Sequence, residues 1–471
     1  RFSREHLDRS LVEYLTMDDL SSSARVQFSN DQGGGLSSGL AHKYLSDLLS
    51  ASPERIAGTE GIQSARNWLE RVLADSGLRP TLEEFSFPER NRFQLFTMAL
   101  NASATALAAA FSPMVGPYWG FGLIVLLNIV DFGLAPRLAS LSKRASGTNV
   151  LAGISRDWAE LGADSRPVVL VTAHYDSADS QSEWYRALSE RMDLWLGLGL
   201  IGLLLTSTYW ILELLQLIPW VALSAPLWWP SVSLGWNVAG RWIAMLLLLP
   251  SALTTLSGLV SSYSRSADAN PGADDNGSGV AVTLAACAAI QRNPPKHIDV
   301  GAVFLSAEEA GLYGSRFFSK KHKERFDPTR TTILCLDGVG RGDTAGTVEG
   351  QGLLKRWEVE RSTLDLWETA VRSVTPNFIR MWYSVFTGST DQLAWLELGF
   401  SRTLSISHGR VVRHPFKAIL HRLFGVSQDH AEFDFSHLHS ARDDLSSINP
   451  NALITSTEAV TRFVEKLDND L

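Results

Sequence analysis

Ionisable residues stand directly after apolar runs at several points in this chain. The run Val168–Ala173 ends in His174-Tyr175-Asp176, and Val300–Leu305 leads through Ser306-Ala307 to Glu308-Glu309. The run Thr331–Leu336 ends in Asp337. A turn, Gly272-Ala273-Asp274-Asp275-Asn276-Gly277-Ser278-Gly279, opens a helical pattern, and His437-Leu438-His439 precedes Asp443 and Asp444. Singly, each has a bland explanation. A histidine after a strand is commonly a hydrogen-bonded loop residue, Asp-Asp-Asn-Gly a turn or helix cap, and Glu-Glu a solvated helix start favoured by the dipole. Together they mean more, because carboxylates and imidazoles gathered on one edge repel unless cations neutralise them. The mixed His and carboxylate set suits zinc better than magnesium or calcium, which prefer all-oxygen shells.

The elements that position these groups follow from periodicity. Short apolar runs at 148–153, 167–173, 299–305, 331–336 and 402–406 read as strands. Helical patterns occupy 277–291, 310–321, 362–374 and 450–467, and another at 60–77 lines up Ile62, Ala65, Trp68, Leu69, Val72 and Leu73 on one face. Strands alternating with helices predict an α/β fold with a doubly wound, mostly parallel sheet flanked by helices. In such sheets ligands bind beyond the carboxyl ends of the strands, which is where the ionisable groups fall. No HExxH, CxxC or GxxxxGK[ST] occurs, and Gly338-Val339-Gly340-Arg341-Gly342 lacks the spacing of a dinucleotide loop.

Composition narrows the classes further. Lys plus Arg is 42 against 50 for Asp plus Glu, a net charge of −8, so no nucleic-acid partner is expected. Two cysteines exclude a disulfide framework and a cysteine-built zinc module. Two stretches are nearly free of charge: Phe93–Val130 has no Asp, Glu, Lys, Arg or His, and Leu194–Ser264 has only Glu213 and Arg241. A membrane helix needs roughly 17–25 apolar residues, and tryptophans crowd the span from Trp119 to Trp242 as interfacial anchors would. These stretches predict a helical hairpin at 93–136 and a second membrane insertion at 181–265 with two crossings. The chain then divides into a polar tail at 1–38 and a catalytic domain split over 39–92, 137–180 and 266–471. The expectation is an integral membrane protein with the lipid bilayer as a partner. Flanking Arg90, Arg92, Arg137, Lys143, Arg144, Arg186, Arg191 and Arg265 favour the cytoplasmic side for the catalytic domain. An amphipathic pattern of Phe416, Ile419, Leu420, Leu423 and Phe424 reads either as a packed surface helix or as an interfacial one.

The order of motifs resembles the M28 family of zinc peptidases, the co-catalytic di-zinc aminopeptidases. The matching pieces are His174-Tyr175-Asp176-Ser177, the 272–279 turn, Ser306-Ala307-Glu308-Glu309-Ala310-Gly311-Leu312-Tyr313-Gly314-Ser315, Leu336-Asp337, Ser389-Thr390-Asp391, and His439-Ser440 followed by Asp443. Arg55-Ile56-Ala57-Gly58-Thr59-Glu60-Gly61 with the following helix looks like that family's N-terminal segment. The resemblance implies one zinc on His174, Asp275 and Asp337, and a second on Asp275, Glu309 and His439, with Asp275 bridging. It implies a catalytic pair of Glu308, the general base toward a metal-bound water, and Asp176, which orients the His174 imidazole. The expected activity is hydrolysis of peptide bonds, as an aminopeptidase on a peptide substrate with two zinc ions. The alternatives on the same fold are a single-zinc glutaminyl cyclase and a catalytically silent receptor or scaffold. The apolar insertions are where this chain departs from the family; they remove no ligand.

Overall fold

The computed structural model describes residues 37–88, 144–180, 269–352, 355–383, 389–413, 422 and 431–471. Its elements begin with helices α1 (Ser37–Ala51) and α2 (Glu60–Asp75) and strands β1 (Thr81–Pro88), β2 (Arg144–Gly153) and β3 (Val168–His174). Helix α3 (Gly279–Arg292), β4 (Asp299–Leu305), α4 (Tyr313–His322), β5 (Thr331–Leu336), β6 (Thr344–Gly352) and β7 (Arg356–Glu358) follow. The chain continues through α5 (Arg361–Arg372), β8 (Phe378–Tyr383), α6 (Gln392–Leu396) and β9 (Thr403–Gly409). It ends with the hairpin β10 (Val411–Arg413) and β11 (Ala431–Phe433), and helix α7 (Pro450–Asn469).

The main sheet runs β1-β2-β4-β3-β5-β9-β6-β7, with β8 joined to β6. Its centre, β4-β3-β5-β9, is parallel, and every residue of these four strands is buried. That is why they read as continuous apolar runs: both faces are covered. Successive side chains alternate between the two faces. On β3, Val169, Val171 and Ala173 join the core under α1, α2, α3, α5 and α7. Val168 and Leu170 join the opposite core with Phe318 of α4 and Trp395 of α6. The doubly wound parallel sheet read from the sequence is this centre. The outer strands differ: β1 pairs antiparallel with β2, β2 with β4, β6 with β9 and β7 with β6. Antiparallel margins tolerate one wet face, as the alternating burial of β1 illustrates.

The connections decide where the site lies. Helix α3 links β3 to β4 across one face, and α4 links β4 to β5 across the other. The strand order therefore reverses about β3, and the loops leaving the carboxyl ends of β3 and β5 diverge to open a crevice. The helices hold their places by apolar stripes. Ala41, Leu45 and Leu48 of α1 are fully buried at helical spacing, and α7 starts with an Asn449 cap and Pro450 at its first turn.

The expectation of an integral membrane protein is corrected here. Among the described residues no helix is long and apolar enough to cross a membrane. The longest, α7, carries Glu458, Arg462, Glu465, Lys466 and Asp468 along one face, whereas a spanning helix is apolar all round. The apolar segments 93–136 and 181–265, and nearly all of the 416–424 pattern, lie outside the described residues, as does the tail before residue 37.

Candidate metal centre

The ends of the central strands bring the predicted residues into two groups that share one carboxylate. His174 closes β3, Asp337 follows β5, and Asp275 comes from the turn that opens α3. His174 Nε2 stands 3.3 Å from Asp275 Oδ1 and 3.6 Å from Asp337 Oδ1. The other Asp275 oxygen, Oδ2, is 3.2 Å from His439 Nε2, which is 3.3 Å from Glu309 Oε1. Asp275 thus turns one oxygen to each group. Glu308 and Glu309 sit on a loop rather than in the first turn of α4, which begins at Tyr313. Ala307 (φ 61°) and Leu312 (φ 59°) take left-handed backbone at the two ends of that loop, a conformation costly for non-glycine residues and concentrated at functional sites.

Surrounding groups set the orientation. Asp176, fully buried, accepts from Glu308 N (3.2 Å) through Oδ1 and from Glu309 N (3.1 Å) through Oδ2. Its Oδ1 also faces His174 Nδ1 at 3.6 Å. Asp443 accepts from the amides of Asp274 (2.7 Å) and Asp275 (3.0 Å), fixing the turn that carries the shared ligand. Asp274 Oδ2 pairs with His437 Nε2 at 3.0 Å, tying the 273–278 turn to the loop that carries His439. The glycine-rich stretch after β5 packs on the same turn. Gly340 N donates to Asp274 Oδ1 (2.8 Å), and a Cβ at Gly340 would lie 2.9 Å from Ser278 Cβ.

The electrostatics are those of crowded, desolvated carboxylates. Burial raises the Glu308 carboxyl well above its ordinary range; Glu309, Asp391 and Asp337 add to the rise, while His174 opposes it. Burial likewise raises Glu309 and Asp337, and pushes Asp391 up to about 7. Burial acts the same way on Asp275, yet the His174 and His439 rings close to its two oxygens win and hold it well below the carboxylate range. Burial works against a charged His174, but Glu308 and its carboxylate neighbours prevail and hold its proton well above the usual imidazole range. The charge of Glu309, followed by Asp275, does the same for His439. Each group therefore attracts positive charge.

Donor spacing tests whether that charge could be a metal. Two donors about 2.0–2.1 Å from a tetrahedral zinc stand roughly 3.3 Å apart, whereas N–H···O bonds centre near 2.9–3.0 Å. The separations of 3.2–3.6 Å fit the shared-ion spacing better. Within each of the two triads the donor atoms lie within 4.8 Å of one another. Glu309 Oε1 is buried and, among the described residues, makes no hydrogen bond, as expected for an oxygen aimed at a cation. The His174 side chain is 2% exposed and that of His439 33%, so the second triad faces solvent.

Several contributors carry no role in the sequence reading. Asp443, His437 and Asp391 were visible only as parts of motifs, and the pairing of His437 with Asp274 has no local signal. Arg55 was visible only as part of Arg55–Gly61. Its side chain is fully buried, donating to the carbonyls of Tyr175, Pro271 and Gly272.

Residues 258–464 match the model of Peptidase family M28. "Probable leucine aminopeptidase 2" of Trichophyton verrucosum (strain HKI 0517) is 24% identical over 214 residues, 45% of this chain and 42% of that protein. The chain spans less than half the length of the curated relatives it matches. Among solved structures, a Zn-dependent exopeptidase from Parabacteroides distasonis ATCC 8503 superposes with a TM-score of 0.48 at 13% identity, covering 91% of this chain and 97% of that one. An Acidobacteriales bacterium glutaminyl cyclase gives 0.49 at 12% identity, covering 94% and 98%. Both superpositions are loose, and the fold assignment rests on the strands themselves. The match to Peptidase family M28 spans Asp275, Glu308, Glu309, Asp337 and His439, while His174 and Asp176 come from the chain before it.

Proposed function

We propose that this chain is a two-zinc metallopeptidase that removes residues from the amino terminus of peptides. The observation that carries this reading is the sharing of Asp275 between two donor triads at tetrahedral-edge spacing. His174, Asp275 and Asp337 would hold one ion, and Asp275, Glu309 and His439 the other. The family match and the leucine aminopeptidase relatives support the peptide substrate and the exopeptidase class. The catalytic unit is read as one domain assembled from 39–92, 137–180 and 266–471, supported by the contribution of all three to one sheet.

A zinc pair, when bound, supplies Lewis-acid polarisation of the scissile carbonyl and acidification of water toward neutrality. Glu308, in no triad and raised by burial, takes a proton from the attacking water and passes it to the leaving amine. Asp176 holds the two amides on which Glu308 and Glu309 hang and faces His174 Nδ1, so that Nε2 points into the first triad.

The test compares wild type with Glu308→Gln on a panel of aminoacyl-p-nitroanilides, with bound metal counted in both. Two zincs in each protein and activity lost only in the variant are expected. One zinc in the wild type, with cyclisation of N-terminal glutamine, would replace this reading with the cyclase. An inactive wild type holding two zincs would remove the aminopeptidase assignment.

A further inference from the structure

Among the described residues no carboxylate lies in hydrogen-bond reach of Arg55, although it is fully buried. Its fork ends on main-chain oxygens instead. Nε donates to Tyr175 O (2.9 Å), Nη1 to Pro271 O (2.7 Å) and Nη2 to Gly272 O (2.7 Å). The Arg55 main chain is fastened to the same place, since its N donates to Ser177 Oγ (3.0 Å) and its O accepts from Ser177 N (3.1 Å). Tyr175 sits between His174 and Asp176, and Gly272 lies three residues before Asp275. These two segments are 120 and 217 residues from Arg55 in the chain.

We infer that Arg55 is a positioning residue for the metal centre: its guanidinium clamps the carbonyls beside His174 to those before Asp275, setting the distance between the two ligands of the first triad. The clamp has two jaws. Arg55 pulls on the carbonyls of Pro271 and Gly272, while Asp443 pulls on the amides of Asp274 and Asp275. The turn between them is held at its carbonyls by a guanidinium and at its amides by a carboxyl group. Space allows nothing else there. Gly272 is left-handed (φ +56°), and a Cβ on it would lie 2.4 Å from Asp275 O and 3.0 Å from Arg55 Nη2. The same point joins the described chain on the two sides of residues 181–268, where Asn270 Nδ2 donates to Ala178 O (3.1 Å). The buried cation also sits in the field of Asp443, Asp176, Asp275 and Glu309. Lysine cannot replace it, because one ammonium on a flexible stem lacks the planar fork that spans three acceptors.

This inference rests on reading the two triads as a metal centre, and Co²⁺ titration of the full-length chain separates the two. Wild type should bind two Co²⁺ ions with visible absorption from His and carboxylate ligation; failure to bind would remove the metal reading itself. With wild type behaving so, Arg55→Gln and Arg55→Lys should both weaken Co²⁺ about 10–100-fold, the usual effect of losing a group that orients ligands, and both should change the absorption spectrum. Wild-type affinity and spectrum in Arg55→Gln would overturn the clamp. Full rescue by Arg55→Lys would also overturn it, leaving a role for charge alone. Should neither variant fold, Ser177→Ala carries the test, since it removes only the anchor on Arg55 N. A several-fold loss of affinity supports the clamp, and unchanged affinity overturns it.

Discussion

Replacing Asp176 with Asn exchanges one carboxylate oxygen for an NH2 group at a fully buried position, and neither orientation of the new amide is acceptable. With its oxygen in the Oδ1 place, it still accepts from Glu308 N, but its NH2 meets the Glu309 N–H that Oδ2 now receives. Flipped, it keeps Glu309 and presents NH2 to Glu308 N and to His174 Nδ1, 3.6 Å from Asp176 Oδ1 in the wild type. An imidazole accepting at Nδ1 carries its proton on Nε2, the atom turned toward Asp275 and Asp337. Either way one hydrogen bond to a charged acceptor is lost, about 1.5–3 kcal/mol. That cost falls on folding; for metal affinity, losing a group that orients the ligands typically costs about 10–100-fold, which is the fall expected here. Chelator competition in zinc-buffered solution measures this directly, with thermal unfolding of the metal-free protein run in parallel to separate a folding defect. Zinc affinity and kcat/KM within twofold of wild type in a folded Asp176→Asn protein would refute the orienting role.

Zinc binding should strengthen with rising pH through and above neutrality, because carboxylate neighbours hold protons on His174 and His439 well above the usual imidazole range and an entering cation must displace them. Calorimetry in buffers of different ionisation enthalpy should detect the released protons, and zero release would contradict it. Metal counting should return two zincs for wild type and one for His439→Ala, which leaves the His174 triad intact. Asp275→Ala should lose both, and a variant that keeps both ions would deny the bridging role. Away from the centre, Phe318→Ala should destabilise by about 3–5 kcal/mol, as for other buried aromatic truncations. Phe318 is fully buried against Trp395 (5.5 Å between ring centroids) and Trp158 (5.9 Å), and a urea midpoint barely moved would contradict its place in that core.

The part of the centre readable in sequence is the part built on the parallel strands. Such strands are buried on both faces, so they appear as unbroken apolar runs, and an ionisable residue at the end of such a run has one place to go. His174, Glu308, Glu309 and Asp337 were found that way. The helices at 60–75, 279–292, 313–322, 361–372 and 450–469 match the periodic segments within a few residues. Of the outer strands β2 is legible at 148–153, whereas β1 and β6 are not, for the converse reason. Strand β1 mixes Glu83 and Glu84 with Phe85 and Phe87, and β6 is rich in glycine, so neither offers a run. Two uncharged stretches drew the membrane expectation, but none of the described helices has the composition to support it.

What sequence patterns cannot carry is a bond to a carbonyl. Every residue offers the same C=O, so a donor that ends on main-chain oxygens has no partner whose identity could betray it. A carboxylate that ends on main-chain amides is equally silent. Arg55 and Asp443 are such residues, and between them they grip the turn that carries Asp275, the proposed bridging ligand. His437 has a side-chain partner, but one 163 residues away. On the proposed reading, the residues legible in sequence are the ligands, and those hidden from it would set the distances between them. A substitution scan read only at the proposed ligands would therefore miss groups expected to affect metal affinity. Arg55, Asp443 and His437 should each alter metal affinity without belonging to either triad, whereas an arginine of matching type on the surface, such as Arg79 in its exposed pair with Asp157, should leave it unchanged.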